Sequence, residues 1–168
     1  IDTDVLRADA QEGDALDTIK YRRTRSGALF KYPIEQNGKT DLWQKWPGED
    51  WKRLQFKACH KISGQTGWSV DLRTYDGKDK NGNQLYANSY KSGDNDFYVV
   101  VLPGTESTSS IPGEDHFWKI PDATMAKHNL VGKYPLQGFY VHMDDTLQAT
   151  RGGVANRRSQ KYTYEWTK

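Results

Sequence analysis

The chain has 168 residues, which is enough for one domain with a hydrophobic core but short for two. Hydrophobic residues make up only 35% of it, but six Trp and ten Tyr supply large apolar side chains, and this argues against disorder. The formal net charge of +2 is compatible with a nucleic-acid partner without requiring one. We therefore expect a single domain over residues 1–168, with a core of about 4–131 and a basic, aromatic extension of about 132–168.

Cysteine content and hydropathy restrict the cellular context. The only cysteine, Cys59, excludes an internal disulfide framework and favours an intracellular protein. No run approaches the roughly 18 apolar residues of a membrane span, and the first residues lack the pattern of a signal peptide. We therefore predict a soluble protein of the cytoplasm, nucleoid or nucleus with no membrane partner.

The first third of the chain predicts a helix followed by an antiparallel meander. Residues 4–23 place apolar side chains on one stripe at helical spacing, and residues 28–34 form a short apolar run that predicts the first strand. A Gly-containing turn precedes the second strand, which begins near Asp41, and a Pro-Gly turn at 46–50 leads to the third strand at 51–59.

The remaining elements are predicted from apolar runs and turn residues. Strands are expected at 67–75, 97–102, 116–121 and 137–143, with polar loops at 76–83 and 104–115. The run at 97–102 is apolar throughout, so it should lie mid-sheet. A helix is expected at 122–129, capped by Asp122. The pattern predicts an α/β domain with a mixed central β-sheet flanked by helices.

Three polar residues on neighbouring strands suggest phosphodiester chemistry. Such hydrolysis requires oxygen ligands for a metal ion, a cation near the phosphate and a positioned water. Gln55 and Lys57 are two residues apart on one strand and therefore project from the same face, and the hairpin through 46–50 would bring Asp41 beside them. Asp41 and Gln55 are the candidate metal ligands, and Lys57 would orient the water or contact the phosphate.

Glu12 is the fourth candidate. It lies on the apolar stripe of the first helix, where a carboxylate needs a partner or a metal ion, whereas Asp17 points away from that stripe. Each residue also has an ordinary structural interpretation: Glu12 at the edge of the stripe, Asp41 in a turn, and Gln55 with Lys57 on a solvated strand face. The order of the set along the chain favours the catalytic interpretation.

The same residues resemble the PD-(D/E)XK nucleases, in the variant whose last motif is Gln-X-Lys. An acid-bearing helix is followed by Gly27 and a strand ending in Pro33, then by Asp41-Leu42 and the Gln55-X-Lys57 strand. Further along come Tyr90, the run Asp96-Phe97-Tyr98-Val99-Val100 and a strand ending in Ile120-Pro121, in the family's order. No proline precedes Asp41, and Glu12 lies further from Gly27 than the family pattern has it.

The resemblance implies a restriction-endonuclease-like core and a Mg²⁺-dependent endonuclease of homing or restriction type, with Mn²⁺ able to substitute. It implies Asp41, Glu12 and Gln55 as metal ligands and Lys57 as a further catalytic residue, with double-stranded DNA as the substrate of a homo-oligomer. Two alternatives stay open: a non-catalytic DNA-binding module of the same fold, and a nuclease for junctions, flaps or RNA.

Basic residues are available to track a DNA backbone, although solvated surface is the ordinary role of each. The candidates are Arg22, Arg23, Arg25, Lys31, Lys78, Lys80, Arg157 and Arg158. The four histidines show no paired spacing and there is no Cys cluster, so zinc is not predicted. The run Val5-Leu6-Arg7-Ala8-Asp9 is also distantly similar to the first strand of ADP-ribosylating toxins, but no Glu-X-Glu motif follows.

Overall fold

The structure is a computed structural model that describes residues 27–33, 39–61, 67–102, 115–142 and 146–149, together with the backbone of 158–161. Eleven strands and one helix, α1 at Asp122–Lys127, lie in these ranges. The strands are β1 Leu29–Lys31, β2 Leu42–Lys45, β3 Lys52–Lys61, β4 Trp68–Asp71, β5 Thr74–Lys78, β6 Gln84–Ala87, β7 Phe97–Leu102, β8 His116–Pro121, β9 Gly138–Val141, β10 Thr146–Ala149 and β11 Arg158–Lys161.

The long strand β3 organises the main sheet. Its first half pairs antiparallel with β2, which continues to β1, and its middle pairs parallel with β7, which continues antiparallel to β8. Its last residues pair with β4, which leads through β9 and β10 to β11. The sheet is therefore mixed, as predicted, and both the meander of β1, β2 and β3 and the mid-sheet position of β7 are confirmed.

Alternation along β3 and β7 divides the apolar side chains between two cores. Leu54, Phe56 and Val99 belong to the smaller core on one face. Cys59 and Val100 belong to the larger core on the other, which extends to β4, β8, β9 and α1. The buried cysteine predicted at position 59 is confirmed, with 2% of its surface exposed.

The flanking helices of the predicted core are not supported in the described ranges, where α1 has six residues and no helix could cross a membrane. The predicted helix at 4–23 lies outside those ranges. A parallel pair needs a long crossover, and the crossover from β3 to β7 carries β4, β5 and β6 where a helix-flanked core would have a helix.

Several predicted element boundaries are wrong. The strand expected at 67–75 is divided into β4 and the start of β5, and the loop expected at 76–83 is largely the β5–β6 hairpin. Its turn is held by the Asp79 carboxylate, which accepts the backbone N–H groups of Asn81 at 2.8 Å and Asn83 at 2.9 Å. Polar residues thus form a hairpin here through local hydrogen bonds and without an apolar face.

Asp122 does not cap α1. The cap position is Pro121, which makes no side-chain cap hydrogen bond, and Asp122 is the first helical residue. The Asp122 carboxylate instead accepts hydrogen bonds from the Ser92 hydroxyl at 3.0 Å and the Gly93 N–H at 3.1 Å. The Asp122 carboxylate therefore anchors the turn at 92–93, which is far from Asp122 in the sequence.

Candidate active site

Asp41 lies at the end of the β2–β3 ladder, directly beside the strand that carries Gln55 and Lys57. The regular pairing stops at Leu42 opposite Leu54. Beyond it the Asp41 N–H donates to the Leu54 carbonyl at 2.9 Å, and an Asp41 carboxylate oxygen accepts the Phe56 N–H at 2.9 Å. The side chain thus takes the place of a ladder hydrogen bond, and this fixes one carboxylate oxygen on β3 between Gln55 and Lys57.

Asn95 holds the segment that leads into Asp41. Its amide nitrogen donates to the Lys39 carbonyl at 2.8 Å, and its amide oxygen accepts the Thr40 hydroxyl at 2.8 Å. Asn95 is 1% exposed, and both hydrogen bonds are partly buried. The hydrogen bonds to Asn95 therefore restrain Lys39 and Thr40, directly before Asp41.

Gln55 is buried, so the ordinary interpretation of a solvated strand face does not hold at this position. Only 6% of its surface is exposed, because it pairs with Tyr98 of β7 on the side of the larger core. Its amide nitrogen donates weakly to the Phe56 carbonyl at 3.4 Å, and its amide oxygen has no hydrogen-bond partner in the described part of the chain. A buried oxygen left without a donor costs free energy, which a cation or a donated hydrogen bond would recover.

The oxygens of Asp41 and Gln55 are hard donors of the kind that Mg²⁺ takes, so these two residues fit the metal implied by the sequence. Among the described residues no three His, Cys, Asp or Glu side chains cluster in a way that could hold a metal ion. A metal ion here would therefore rely on few protein ligands, which is usual for Mg²⁺, since it keeps several waters and binds substrate phosphates.

Lys57 and Lys39 gather at one aromatic ring. The Lys57 ammonium lies 5.4 Å from the centroid of the Tyr90 ring, and the Lys39 ammonium lies 4.7 Å from the same centroid. Tyr90 is 2% exposed and packs edge-on against Tyr98 at 5.6 Å. One buried ring therefore lies within cation–π distance of both ammonium groups.

Burial and nearby charges, including that of Lys57, shift the pKa of Lys39 and of Asp71. Burial lowers the pKa of Lys39, the Asp94 carboxylate opposes this effect, and the charge of Lys57 lowers the pKa further. Burial alone would raise the pKa of Asp71, but hydrogen bonds from Arg73 outweigh it, and Lys57 adds to the lowering. Asp71 is paired with Arg73 at 2.8 Å.

Lys39 and Asn95 were not identified from the sequence. Lys39 is two residues before Asp41, and strand alternation extended backwards from β2 would have placed the two on one face. Asn95 contacts the 39–40 segment only because β7 lies beside β3, and no local pattern indicates that pairing.

The other predicted site residues lie outside the described ranges or away from the active-site cluster. Glu12 lies outside the described residues, as do Arg22, Arg23, Arg25 and Arg157, and only the backbone of Arg158 is described, in β11. Lys31 is held between two indole rings, 4.9 Å from Trp43 and 4.3 Å from Trp51. Lys78 and Lys80 are exposed on the β5–β6 hairpin, and the structure does not bring them to Asp41 by any contact.

The fold is similar to that of a bacterial homing endonuclease, I-Ssp6803I, with a TM-score of 0.53 and 20% sequence identity over 73% of this chain and 71% of that one. A second solved structure, MepB, aligns over 76% of this chain and 79% of its own at 13% identity, with a TM-score of 0.43. No family profile and no curated protein matches the sequence. The similarity to the homing endonuclease shows a shared fold, and the Gln-X-Lys assignment stays a prediction.

Proposed function

We propose that this protein is a Mg²⁺-dependent endonuclease that hydrolyses phosphodiester bonds of double-stranded DNA, as homing and restriction endonucleases do. The observation that carries the proposal is the Asp41 carboxylate, which accepts the N–H of Phe56, the residue between Gln55 and Lys57 on β3. The buried amide oxygen of Gln55 has no hydrogen-bond partner among the described residues. The fold shared with a protein named a homing endonuclease supports the same class of activity.

Each residue has a defined task. Asp41 and Gln55 would hold Mg²⁺, with Mn²⁺ as a substitute and Glu12 as a further proposed ligand. The metal ion, when bound, supplies Lewis-acid activation of the scissile phosphate and of water. Lys57 neutralises charge that develops on the phosphate, and the Tyr90 ring keeps its ammonium in place.

Cleavage of both strands of a duplex requires two active sites, and we propose that a homo-oligomer supplies them. The products distinguish this from a single-site enzyme, because a monomer converts supercoiled plasmid to nicked circles, whereas paired sites give linear molecules. The exposed lysines Lys78 and Lys80, with Lys31 and the arginines Arg22, Arg23, Arg25, Arg157 and Arg158, are the proposed DNA contacts outside the active site.

The test is plasmid cleavage by purified protein with Mg²⁺, Mn²⁺ or EDTA, using the variants Asp41→Asn and Lys57→Met. The asparagine can still accept the Phe56 N–H, so the fold is retained while the charge is lost. We expect cleavage to fall at least about 100-fold in each variant, as when one charge-stabilising group is removed from an active site. Asp50→Asn and Lys133→Met, which change exposed residues outside the active-site cluster, are the controls.

Full cleavage by both active-site variants would exclude this site. If the wild-type protein binds duplex DNA and cleaves none with either metal, the chain is a DNA-binding module of the same fold. Cleavage restricted to junctions, flaps or RNA would assign it to a structure-selective or RNA-directed nuclease.

A further inference from the structure

A hydrogen bond holds the backbone of Lys39, and its side chain extends to the Tyr90 ring, which the Lys57 side chain also approaches. Asn95 holds the Lys39 carbonyl at 2.8 Å, and the Lys39 ammonium hydrogen-bonds the Ser89 hydroxyl and lies 4.7 Å from the Tyr90 centroid. Lysine side chains lose much rotamer entropy when they are held in one geometry. The contacts that hold Lys39 in one geometry therefore suggest that its ammonium is positioned to bind a ligand.

Neither ammonium group forms a contact ion pair with a carboxylate in the described ranges, where no Asp or Glu oxygen lies within 4.0 Å of Lys39 or Lys57. The Asp94 and Asp76 carboxylates act on Lys39 from a greater distance and favour its charged form, whereas the charge of Lys57 opposes it. Both nitrogens lie within 5.4 Å of one ring centroid, and the charge of Lys57 acts on Lys39. Two like charges repel, and an anion beside both would relieve that repulsion.

The position of the pair indicates what the anion is. Lys39 precedes Asp41 by two residues, and Lys57 follows Gln55 by two, so the lysines flank the proposed metal ligands on adjacent segments. A nucleic-acid strand that presents one phosphate to Asp41 and Gln55 carries further phosphates along its backbone at short, regular intervals. A second cation beside the first suits such a ligand better than it suits an isolated phosphate.

We propose that Lys39 is a second phosphate-binding residue, which acts with Lys57 on the Tyr90 ring to hold the backbone of the nucleic-acid strand at Asp41. The inference rests on the proposed function for its choice of ligand and extends it by a residue that sets the register of the strand. Binding is separable from cleavage, so the lysine pair is testable in EDTA.

The experiment measures binding of a short DNA duplex in EDTA across a series of salt concentrations, for wild type, Lys39→Met, Lys57→Met and Lys39→Arg. Each phosphate contact contributes about 0.9 to the slope of log affinity against log salt concentration. We expect Lys39→Met and Lys57→Met each to reduce the slope by about 0.9, and Lys39→Arg to retain it. Lys133→Met is the matched control, because that ammonium lies 5.5 Å from the ring of Tyr134, which is 79% exposed.

A second measurement follows the Lys39 and Lys57 side chains by NMR during titration with the same duplex. We expect the side-chain resonances of Lys39 and Lys57 to shift as the duplex binds, and those of Lys133 to stay in place. An unchanged salt slope in Lys39→Met, together with unshifted Lys39 resonances, would overturn the inference even if the protein cleaves DNA. Conversely, Lys39-dependent binding by a protein that cleaves nothing would overturn the nuclease proposal and leave the lysine pair intact.

Discussion

Asn95 binds the Lys39 backbone through its amide nitrogen and the Thr40 hydroxyl through its amide oxygen, each at 2.8 Å, so one buried side chain restrains the segment that delivers Asp41 to β3. Asn95 lies two residues before the valine-rich strand β7, and its two hydrogen bonds hold the residues directly before the proposed metal ligand Asp41. This connection makes Asn95 a positioning residue that contacts no substrate.

Asn95→Ala removes both hydrogen bonds and leaves the Lys39 carbonyl without its donor. We expect the free energy of unfolding to fall by about 1–3 kcal/mol, measured by urea denaturation, because buried polar groups lose their partners. Asn81→Ala, at an exposed position of the β5–β6 hairpin, is the control and should change stability little. Equal stability of Asn95→Ala and wild type would show that Asn95 does not restrain the segment.

Gln55→Leu separates the effect of the buried Gln55 amide on stability from its proposed role as a metal ligand. The change removes an amide whose oxygen has no hydrogen-bond partner in the described ranges, so we expect stability in EDTA to be unchanged or higher by up to about 1 kcal/mol. Stabilisation by added Mg²⁺ should be lost, because one metal ligand is gone. Denaturant curves with and without Mg²⁺ measure both effects, and a Mg²⁺ response equal to that of wild type would exclude Gln55 as a ligand.

Gln55→Glu should have the opposite effect. A carboxylate at a position that is 6% exposed is costly without a cation, so stability in EDTA should fall below that of wild type. Added Mg²⁺ should restore it by a larger increment than in wild type, since a charged oxygen binds the ion more strongly. A smaller Mg²⁺ increment than in wild type would contradict the proposed position of the metal ion.

Lys39 supplies a prediction for alkaline pH. Because its pKa is lowered, mainly by burial, Lys39 should lose its charge below the ordinary lysine value of about 10.4. DNA affinity should therefore decrease with rising pH earlier in wild type than in Lys39→Arg, whose guanidinium stays charged. Binding curves of the two proteins in EDTA that decline at the same pH would contradict the role of Lys39.

The parts of the fold that could be predicted from sequence are those in which apolar burial is local and repeated. β7 is recognisable because six successive residues, Phe97–Leu102, suit a strand buried on both faces. The β5–β6 hairpin was missed because the Asp79 turn and not an apolar pattern holds it. β10 was missed because its four residues are too few to establish a period.

The candidate site likewise contains contacts that the sequence could predict and contacts that it could not. The proximity of Asp41 to Gln55 and Lys57 follows from one hairpin, and hairpins join neighbouring residues in sequence. The gathering of Lys39 and Lys57 at Tyr90 depends on where the chain returns after the β5–β6 hairpin, which no local pattern specifies. The burial of Gln55 was missed for a related reason, since it results from the larger core formed by β4, β8 and β9.

Tyr98 should make the protein sensitive to alkali. Burial raises the pKa of its phenol to about 12, against a smaller opposite effect of the Asn95 side chain, and the hydroxyl makes no hydrogen bond in the described ranges. The unfolded chain ionises Tyr near pH 10, so the folded state holds this proton more tightly. Stability contributed by the protonated phenol is complete below about pH 10 and is lost as pH rises toward 12.

Tyr98→Phe removes the titrating hydroxyl. We expect its stability near neutral pH to match or exceed that of wild type, and the loss of stability between pH 10 and about 12 to be smaller than in wild type. Tyr86→Phe is the control, because Tyr86 is 54% exposed and its ring lies on the β5–β6 hairpin. Identical alkaline transitions for Tyr98→Phe and wild type would show that another group causes them.

Gly138 is where β9 approaches β4 too closely for a side chain. A Cβ atom at this position would lie 2.4 Å from the Val70 carbonyl oxygen, a backbone atom that cannot rotate away. Gly138→Ala must therefore separate the two strands, and we expect a loss of about 1–3 kcal/mol in the free energy of unfolding, measured by urea denaturation. Ser69→Ala, on β4 opposite Tyr140, removes an atom in the same strand pair and is the control. Because Lys39 and Lys57 lie on other segments, Gly138→Ala should retain the wild-type salt dependence of DNA binding. A Gly138→Ala protein as stable as wild type would contradict the close approach of β4 and β9.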